Sequence, residues 1–360
     1  MGMLLFATIK MAASEQQYSL KVGYLPATHD TLLFVAAHEK LFPSNLDVQL
    51  VKYTSSPDIL NEMRGGRVDV AIPGVAAPIQ RIAEGAPFVI VGGAAQESAA
   101  VVVNPKQDYG TRFFERGQLR PLDGRLQAFA NMKVGSVKLS TGDALFRCAM
   151  RDRNVPVSID DSYHNPKDVL LDLKGGRLDA AVLWSPHMTT AEYDGMPIVL
   201  WLNEILHDHV CCRQVVRSDY LAERRDAVVL YLIGLIRAKA VYDAAQNSPE
   251  QKARVLSSVR EYVSVDPKYP DVLEKELFGT NPRTKVSVDL NETGIGAYLD
   301  KMVQEKMISP EQKQKVGKNV DPSVLEDAYR KLGLPDDQAK LAVSQGFGSL
   351  PGDAKERLLK

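Results

Sequence analysis

The chain has 360 residues, more than one small core can organise, so at least two domains are expected. Apolar residues make up 45% and charged ones 25%, an ordinary globular balance, and a net charge of −1 leaves no basic footprint for nucleic acid or an anionic membrane. Three cysteines with no CxxC spacing exclude a disulfide framework and a structural zinc ribbon.

Residues 1–18 read as a leader or disordered start. Met3 to Ile9 is apolar and Ala12-Ala13-Ser14 are small, yet no basic residue precedes the run and Lys10 interrupts it. The spacing then predicts a strand over Leu20–Leu25 and a helix over Leu32–His38 with Thr28 as its N-cap. Strands follow at Leu46–Val51 and Pro87–Val91, with a helix from Pro78 to Glu84 between them. Gly92 to Ser98 reads as a link to a further strand, Ala99–Val103. Residues 105–128 lose periodicity and read as a surface insertion. Beyond it come a strand at Met132–Ser136, a loop at Leu139–Gly142, a helix at Asp143–Arg153 and a strand at Pro197–Trp201. Val210–Val216 is strand-like and precedes a long helix, Arg224–Ala245. The longest apolar run, Ala227 to Ile236, is closed by Arg225 and Arg237, short of the about 20 residues a membrane span needs. From Pro249 onward the chain is helical, broken at prolines that include Pro282.

Two stretches are copies of one device. Leu60 to Ile72 (LNEMRGGRVDVAI) and Leu170 to Val182 (LLDLKGGRLDAAV) align without a gap at an offset of 110 positions. In each, a helix bearing a cation in its last turn stops at Gly-Gly, and a short apolar strand runs into a loop. The loops are Pro73–Pro78 and Trp184–His187. In open α/β sheets ligands lie beyond the carboxyl ends of the strands, so these loops are expected to face a site.

Taken in order, Val22–Pro26, Val68–Val75, Gly85–Val91, Ser98–Val103, Gly176–Pro186 and Arg213–Tyr220 resemble the solute-binding proteins of ABC importers for nitrate, taurine and aliphatic sulfonates. That grouping includes a branch similar to thiamine-pyrimidine synthases. The resemblance covers about residues 20–245 and implies an α/β, two-lobed type II periplasmic-binding-protein fold; the residues from Pro249 on, weakly matched to that family, read as a helical C-terminal extension. Lobe 1 is expected from 19–103 plus 206–248 and lobe 2 from 104–205, with 249–360 packing mainly on lobe 1. It further implies an extracytoplasmic, monomeric protein without catalysis or cofactor, which hands a small-molecule ligand to an ABC transporter permease. The alternatives are a fold-sharing enzyme of the pyrimidine-synthase or lyase type, and a metal-dependent small-ligand sensor. GxSxG, HExxH, the P-loop and a complete GxGxxG are absent from the sequence. Of the synthases' cysteine-rich motif only Cys211-Cys212 stands here.

Position at strand ends nominates Thr28, His29, Asp30, Gly74, Val75, Ala76, Gln96, Glu97, Ser140, Thr141, Trp184, Ser185 and His187 as ligand-binding residues. Ser140 and Thr141 precede a helix and suit an anionic group, with Arg213 as a counter-charge. Asp30 and Glu97 beside an anion call for a ligand that also carries a donor. His207 and His209 share a face if extended and could ligate a metal, although loop histidines more often bond to backbone or solvent. Cys211 and Cys212 are expected either as a strained vicinal disulfide or, as favoured here, as thiols on opposite faces of a strand.

Overall fold

A computed structural model describes residues 16–105, 110–279 and 283–358. The predicted leader, apart from its last three residues, and the break at Pro282 lie outside the described residues. Thirteen strands occur among those described: β1 Tyr18–Tyr24, β2 Leu46–Lys52, β3 Val70–Ala71, β4 Phe88–Gln96, β5 Ala99–Val103, β6 Phe114–Glu115, β7 Gln118–Leu119, β8 Lys133–Val137, β9 Ser158–Tyr163, β10 Ala180–Trp184, β11 Ile198–Trp201, β12 Val210–Arg217 and β13 Lys285–Val286. They form one sheet of order β13-β4-β12-β3-β1-β2, a second of order β11-β5-β10-β8-β9, and a two-stranded hairpin, β6-β7, in the insertion.

The repeat is visible in three dimensions. Helices Ser56–Arg64 and Pro166–Lys174 begin alike, with Ser55 and Asn165 accepting from the N–H groups of Asp58 and Asp168. They end alike too, with Gly66 and Gly176 at φ +73° and +79°. The aspartate that follows clamps the neighbouring strand in each lobe. Asp69 and Asp179 donate their backbone N–H to the carbonyls of Lys21 and Lys133 and accept with Oδ2 from the same residues' N–H. Arg67–Glu62 and Arg177–Asp172 are equivalent surface ion pairs. The match of residue types therefore repeats a set of hydrogen bonds as well as a hydrophobic pattern.

Several expectations change. Ala99–Val103, placed by the sequence in lobe 1, pairs antiparallel with β10 and β11 and so belongs to the second sheet. The chain thus crosses at Glu97–Ser98 and returns between β11 and β12. Gly92–Gln96 is no linker: it prolongs β4, where glycines let segment 287–289 lie directly against the strand. Thr28 sits in a 3-10 turn with no capping bond, and its hydroxyl engages Thr284 instead. The edge strand β9 carries no strand signal in the sequence, because its acids and serines lack apolar alternation.

The helix Ser218–Ala245, kinked at Arg224, is buried through residues 227–236 and packs under the first sheet. No helix among the described residues is long and apolar enough to cross a membrane. Residues 249–358 pack on lobe 1 through helices Pro249–Tyr262, Ser323–Lys331 and Gly352–Leu358, and β13 extends that lobe's sheet. Besides this packing on lobe 1, they also reach lobe 2. Lys301 pairs with Asp152, Arg151 donates to the carbonyl of Glu305, Arg283 and Lys275 pair with Glu192, and Tyr269 donates to Asp194. All of those partners lie in lobe 2, so the C-terminal region straps the two lobes together.

Where the strap crosses β4, a Cβ on Gly93 would collide with the backbone of Asp289. Backbone cannot rotate away as a side chain can. Gly93→Ala should therefore lower stability by about 1–3 kcal/mol or more. Gly124→Ala, in a helix where a Cβ would meet only the Arg120 side chain at ordinary van der Waals distance, should be neutral or stabilising by up to about 1 kcal/mol. Denaturant midpoints of the two variants against the parent check the pair.

Candidate functional site

The two sheets face each other across a cavity of about 30 Å³ lined by Leu25, His29, Ser56, Gly74, Ala99, Ser140, Thr141, Gly142, Trp184, Cys211 and Cys212. Both repeat units deliver their loops to it, Gly74 from the first and Trp184 from the second. The volume is room for about one or two waters, so anything the size of a small organic acid enters only as the lobes part. Closure is close-packed at Gly74, where a Cβ would lie 3.0 Å from Thr141 Oγ1. Thr141 Oγ1 donates across the gap to the carbonyl of Cys211 at 3.0 Å, and Ser56 Oγ accepts from the Gly74 N–H at 2.9 Å.

Ser140 caps the helix Thr141–Asp152, its Oγ accepting from the Asp143 N–H, and so turns that helix's N-terminus toward the cavity. Leu25, Ala99 and Trp184 add apolar surface to the same lining. Hydroxyls at a helix N-terminus with apolar groups in the same lining suit a small ligand with one oxyanion and a carbon body.

Behind the cavity lies a buried hydrogen-bonded seam. Ser185 Oγ and Thr189 Oγ1 donate to the carboxylate of Glu276, which is wholly buried. Ser98 Oγ donates to Ser185 Oγ at 3.3 Å, and its single hydrogen is thereby used. It must accept from Thr284 Oγ1 at 2.9 Å and from His29 Nε2 at 2.8 Å. Polarity thus runs one way, from the His29 Nε2–H through two serines to a buried carboxylate. Burial holds the His29 imidazole down to about 4, with the neighbouring His209 adding to the effect, so it is neutral near pH 7.

Five of the residues nominated by the sequence meet at the cavity: His29, Gly74, Ser140, Thr141 and Trp184. Val75 and Ala76 are buried just behind it, and the Val75 N–H donates to the Cys211 carbonyl. Thr28 and Ser185 serve the seam. Asp30 is buried, one oxygen accepting from the Leu25 N–H and the other without a partner; burial pushes its carboxyl well above the usual carboxylate range.

The rest do not reach the cavity. Gln96, half-buried, pairs with β12 and β13 at the end of β4. Glu97 accepts from the Asp208 N–H and Asn203 Nδ2 and pairs with Lys285, which makes it a tie between the two crossings. His187 opens a helix beside Lys167 and Lys174. Arg213 is wholly buried and donates to the carbonyls of Ala95 and Cys212, so the expected counter-charge turns away from the cavity.

The two cysteines correct another expectation. A register shift between Val210 and Cys212 bulges β12, and both thiols line the cavity instead of opposite faces. They are free, with sulfurs 3.9 Å apart. His207 is exposed and His209 buried, its Nδ1–H donating to the Leu206 carbonyl, so the two do not converge. Ser56, Ser98, Glu276 and Thr284 carried no sequence signal, since their roles arise only from contacts with distant segments.

Residues 13–257 match the model of a family described as the NMT1-like family. An Escherichia coli (strain K12) protein named, provisionally, as an aliphatic sulfonates-binding protein is 24% identical over 197 residues, 54% of this chain and 58% of that relative. The chain therefore aligns with little more than half of that relative's length. The periplasmic nitrate-binding protein NrtA from Synechocystis PCC 6803 superposes with a TM-score of 0.73 at 16% identity, covering 96% of this chain and 99% of that one. The alkanesulfonate-binding protein SsuA from Xanthomonas axonopodis pv. citri, bound to MOPS, gives 0.67 at 16% identity, covering 85% and 99%. These likenesses show a shared fold, the two-lobed architecture of periplasmic binding proteins.

Burial raises the Glu276 carboxyl to about 6 from an ordinary 4.5, although Ser185, Thr189 and Arg283 oppose the shift. The folded state holds this proton more tightly than the unfolded state does. Its stabilising contribution is therefore complete below about pH 4.5 and lost as pH rises through about 6. Glu276→Gln removes that loss. Relative to the parent, the variant should gain about 2 kcal/mol between pH 4.5 and pH 8, the size of the shift. Urea midpoints at both pH values measure it, and a difference independent of pH would contradict the assignment.

Proposed function

Because the chain belongs to the NMT1-like family, we propose that it is the extracytoplasmic solute-binding component of an ABC importer. In this reading it captures one small polar organic ligand between its lobes and delivers it to a permease, without turnover. The observation that carries the reading is the cavity itself. Loops of two equivalent units, separate in sequence, converge on it from opposite lobes, the arrangement that closure around a ligand requires. One chain supplies both walls, so a monomer suffices.

Ligand chemistry follows from the lining. The oxyanion is held at the N-terminus of helix Thr141–Asp152 by Thr141 and Ser140, and the carbon body lies on Trp184. A small sulfonate or related acid, of the class that the Escherichia coli and Xanthomonas proteins are named for, fits this division. Asp30, behind the lining, favours its neutral form and can present a donor to such a ligand. Neither Arg213 nor Glu97 takes part.

Calorimetry with taurine, methanesulfonate and nitrate tests the reading. A sulfonate should bind at one site per chain and be recovered unchanged. Thr141→Ala should weaken it about tenfold, the loss of one hydrogen bond to a charged group. Binding of none of the three, or consumption of the ligand, would overturn the proposal.

A further inference from the structure

Outside the oxyanion end of the cavity, one cluster is left unexplained by solute capture. We propose that His29, Cys211 and Cys212 form a binding site for a thiophilic d10 metal ion, Zn2+ in the first instance, at the floor of the interlobe cavity. The inference holds whatever the cargo is.

Geometry is the first ground. The three ligand atoms lie within 4.8 Å of one another and all three residues are buried. Cys211 Sγ and Cys212 Sγ are 3.9 Å apart, and Cys212 Sγ lies 3.4 Å from His29 Nδ1. Tetrahedral zinc, with Zn–S near 2.3 Å and Zn–N near 2.0–2.1 Å, sets S···S at about 3.8 Å and S···N at about 3.5 Å. The two separations match those tetrahedron edges before any ion is added.

The imidazole is also prepared. Ser98, having given its hydrogen to Ser185, can only accept from His29, so Nε2 carries the proton and the Nδ1 lone pair faces Cys212. An acceptor hydrogen-bonded to the far ring nitrogen is what orients metal-binding histidines. Here that acceptor leads through Ser185 to the buried Glu276. The bulge in β12 completes the set, since adjacent residues of a regular strand would point their thiols apart.

Charge and softness select the ion. Two thiolates and a neutral imidazole balance the charge of a divalent cation, which suits a buried site. Thiolate ligation disfavours Mg2+ and Ca2+, whose preference is for oxygen. The fourth tetrahedral position opens on the cavity, where Ser56 and Thr141 stand.

The test uses the full chain, reduced and stripped with a chelator, then titrated with Co2+ and with Zn2+. One Co2+ should bind per chain, with the strong visible absorption of a tetrahedral ion and a near-ultraviolet thiolate-to-cobalt band, and Zn2+ should bleach both. Cys211→Ser, Cys212→Ser and His29→Gln should each weaken binding at least a hundredfold. Ser98→Ala should weaken it about 10–100-fold, the usual cost of losing the hydrogen-bond partner behind a metal-binding histidine. Cys148→Ser, whose thiol lies elsewhere against Met307, should leave it unchanged. If a cavity variant fails to fold, alkylation of the parent decides: Zn2+ should protect Cys211 and Cys212 and not alter the labelling of Cys148. A weak octahedral spectrum without the thiolate band, or unprotected cysteines, would overturn the proposal. Sulfonate binding in the stripped protein would leave the transport reading standing on its own, so the two can fail separately.

Discussion

A single buried carboxylate organises the middle of this molecule. Glu276 has no exposed surface, and an unpaired charge there would cost several kcal/mol. Its donors come from lobe 2, Ser185 and Thr189, while its own helix belongs to the C-terminal region. Through Ser98 the same chain of hydroxyls reaches His29 in lobe 1. Satisfying one acid therefore fixes three parts of the fold against one another. Arg283 reinforces the junction, donating to Thr189 Oγ1 and pairing with Glu192 while its guanidinium lies over the Trp201 ring.

Such a junction shapes how the lobes move. The first crossing is two residues, Glu97 and Ser98, both at positive φ (56° and 92°), and the second contains Asp208 at 51°. Non-glycine residues held there are uncommon and mark positions the surrounding structure determines. Glu97 binds the second crossing through Asp208 and Asn203 and the C-terminal strap through Lys285. The two crossings and the strap thus form one hinge assembly. Parting the lobes must turn about it while the outer strap contacts, Lys301–Asp152 and Arg151–Glu305, slide or break. Arg151 is exposed and the Lys301 and Asp152 side chains are only partly buried, so water can replace these contacts as they part and the strap limits the motion without forbidding it.

The architecture was legible in the sequence wherever a local pattern carried it. The Gly-Gly stop and the aspartate after it encode a helix end and a strand clamp, and both occur twice. Five cavity residues followed from one rule about strand ends. What sequence could not carry was side-chain direction. Arg213 and Glu97 sit beside the cavity in sequence, yet backbone carbonyls claim the first and the hinge claims the second. Strand alternation by default puts Cys211 and Cys212 on opposite faces, and the bulge in β12 reverses that. Ser98, Glu276 and Thr284 acquire meaning only when segments up to about 190 positions apart meet at Ser98, and no window of sequence contains that.

Capture by closure is the central claim, and the distance between lobes tests it most directly. Spin labels at Asp47→Cys on β2 and Ser162→Cys on β9, both exposed positions, would be compared by double electron–electron resonance with and without saturating taurine or methanesulfonate. The account predicts a broad distribution without ligand that narrows to one closed separation with it. Identical distributions in the two states, with calorimetry recording binding in the same samples, would contradict it.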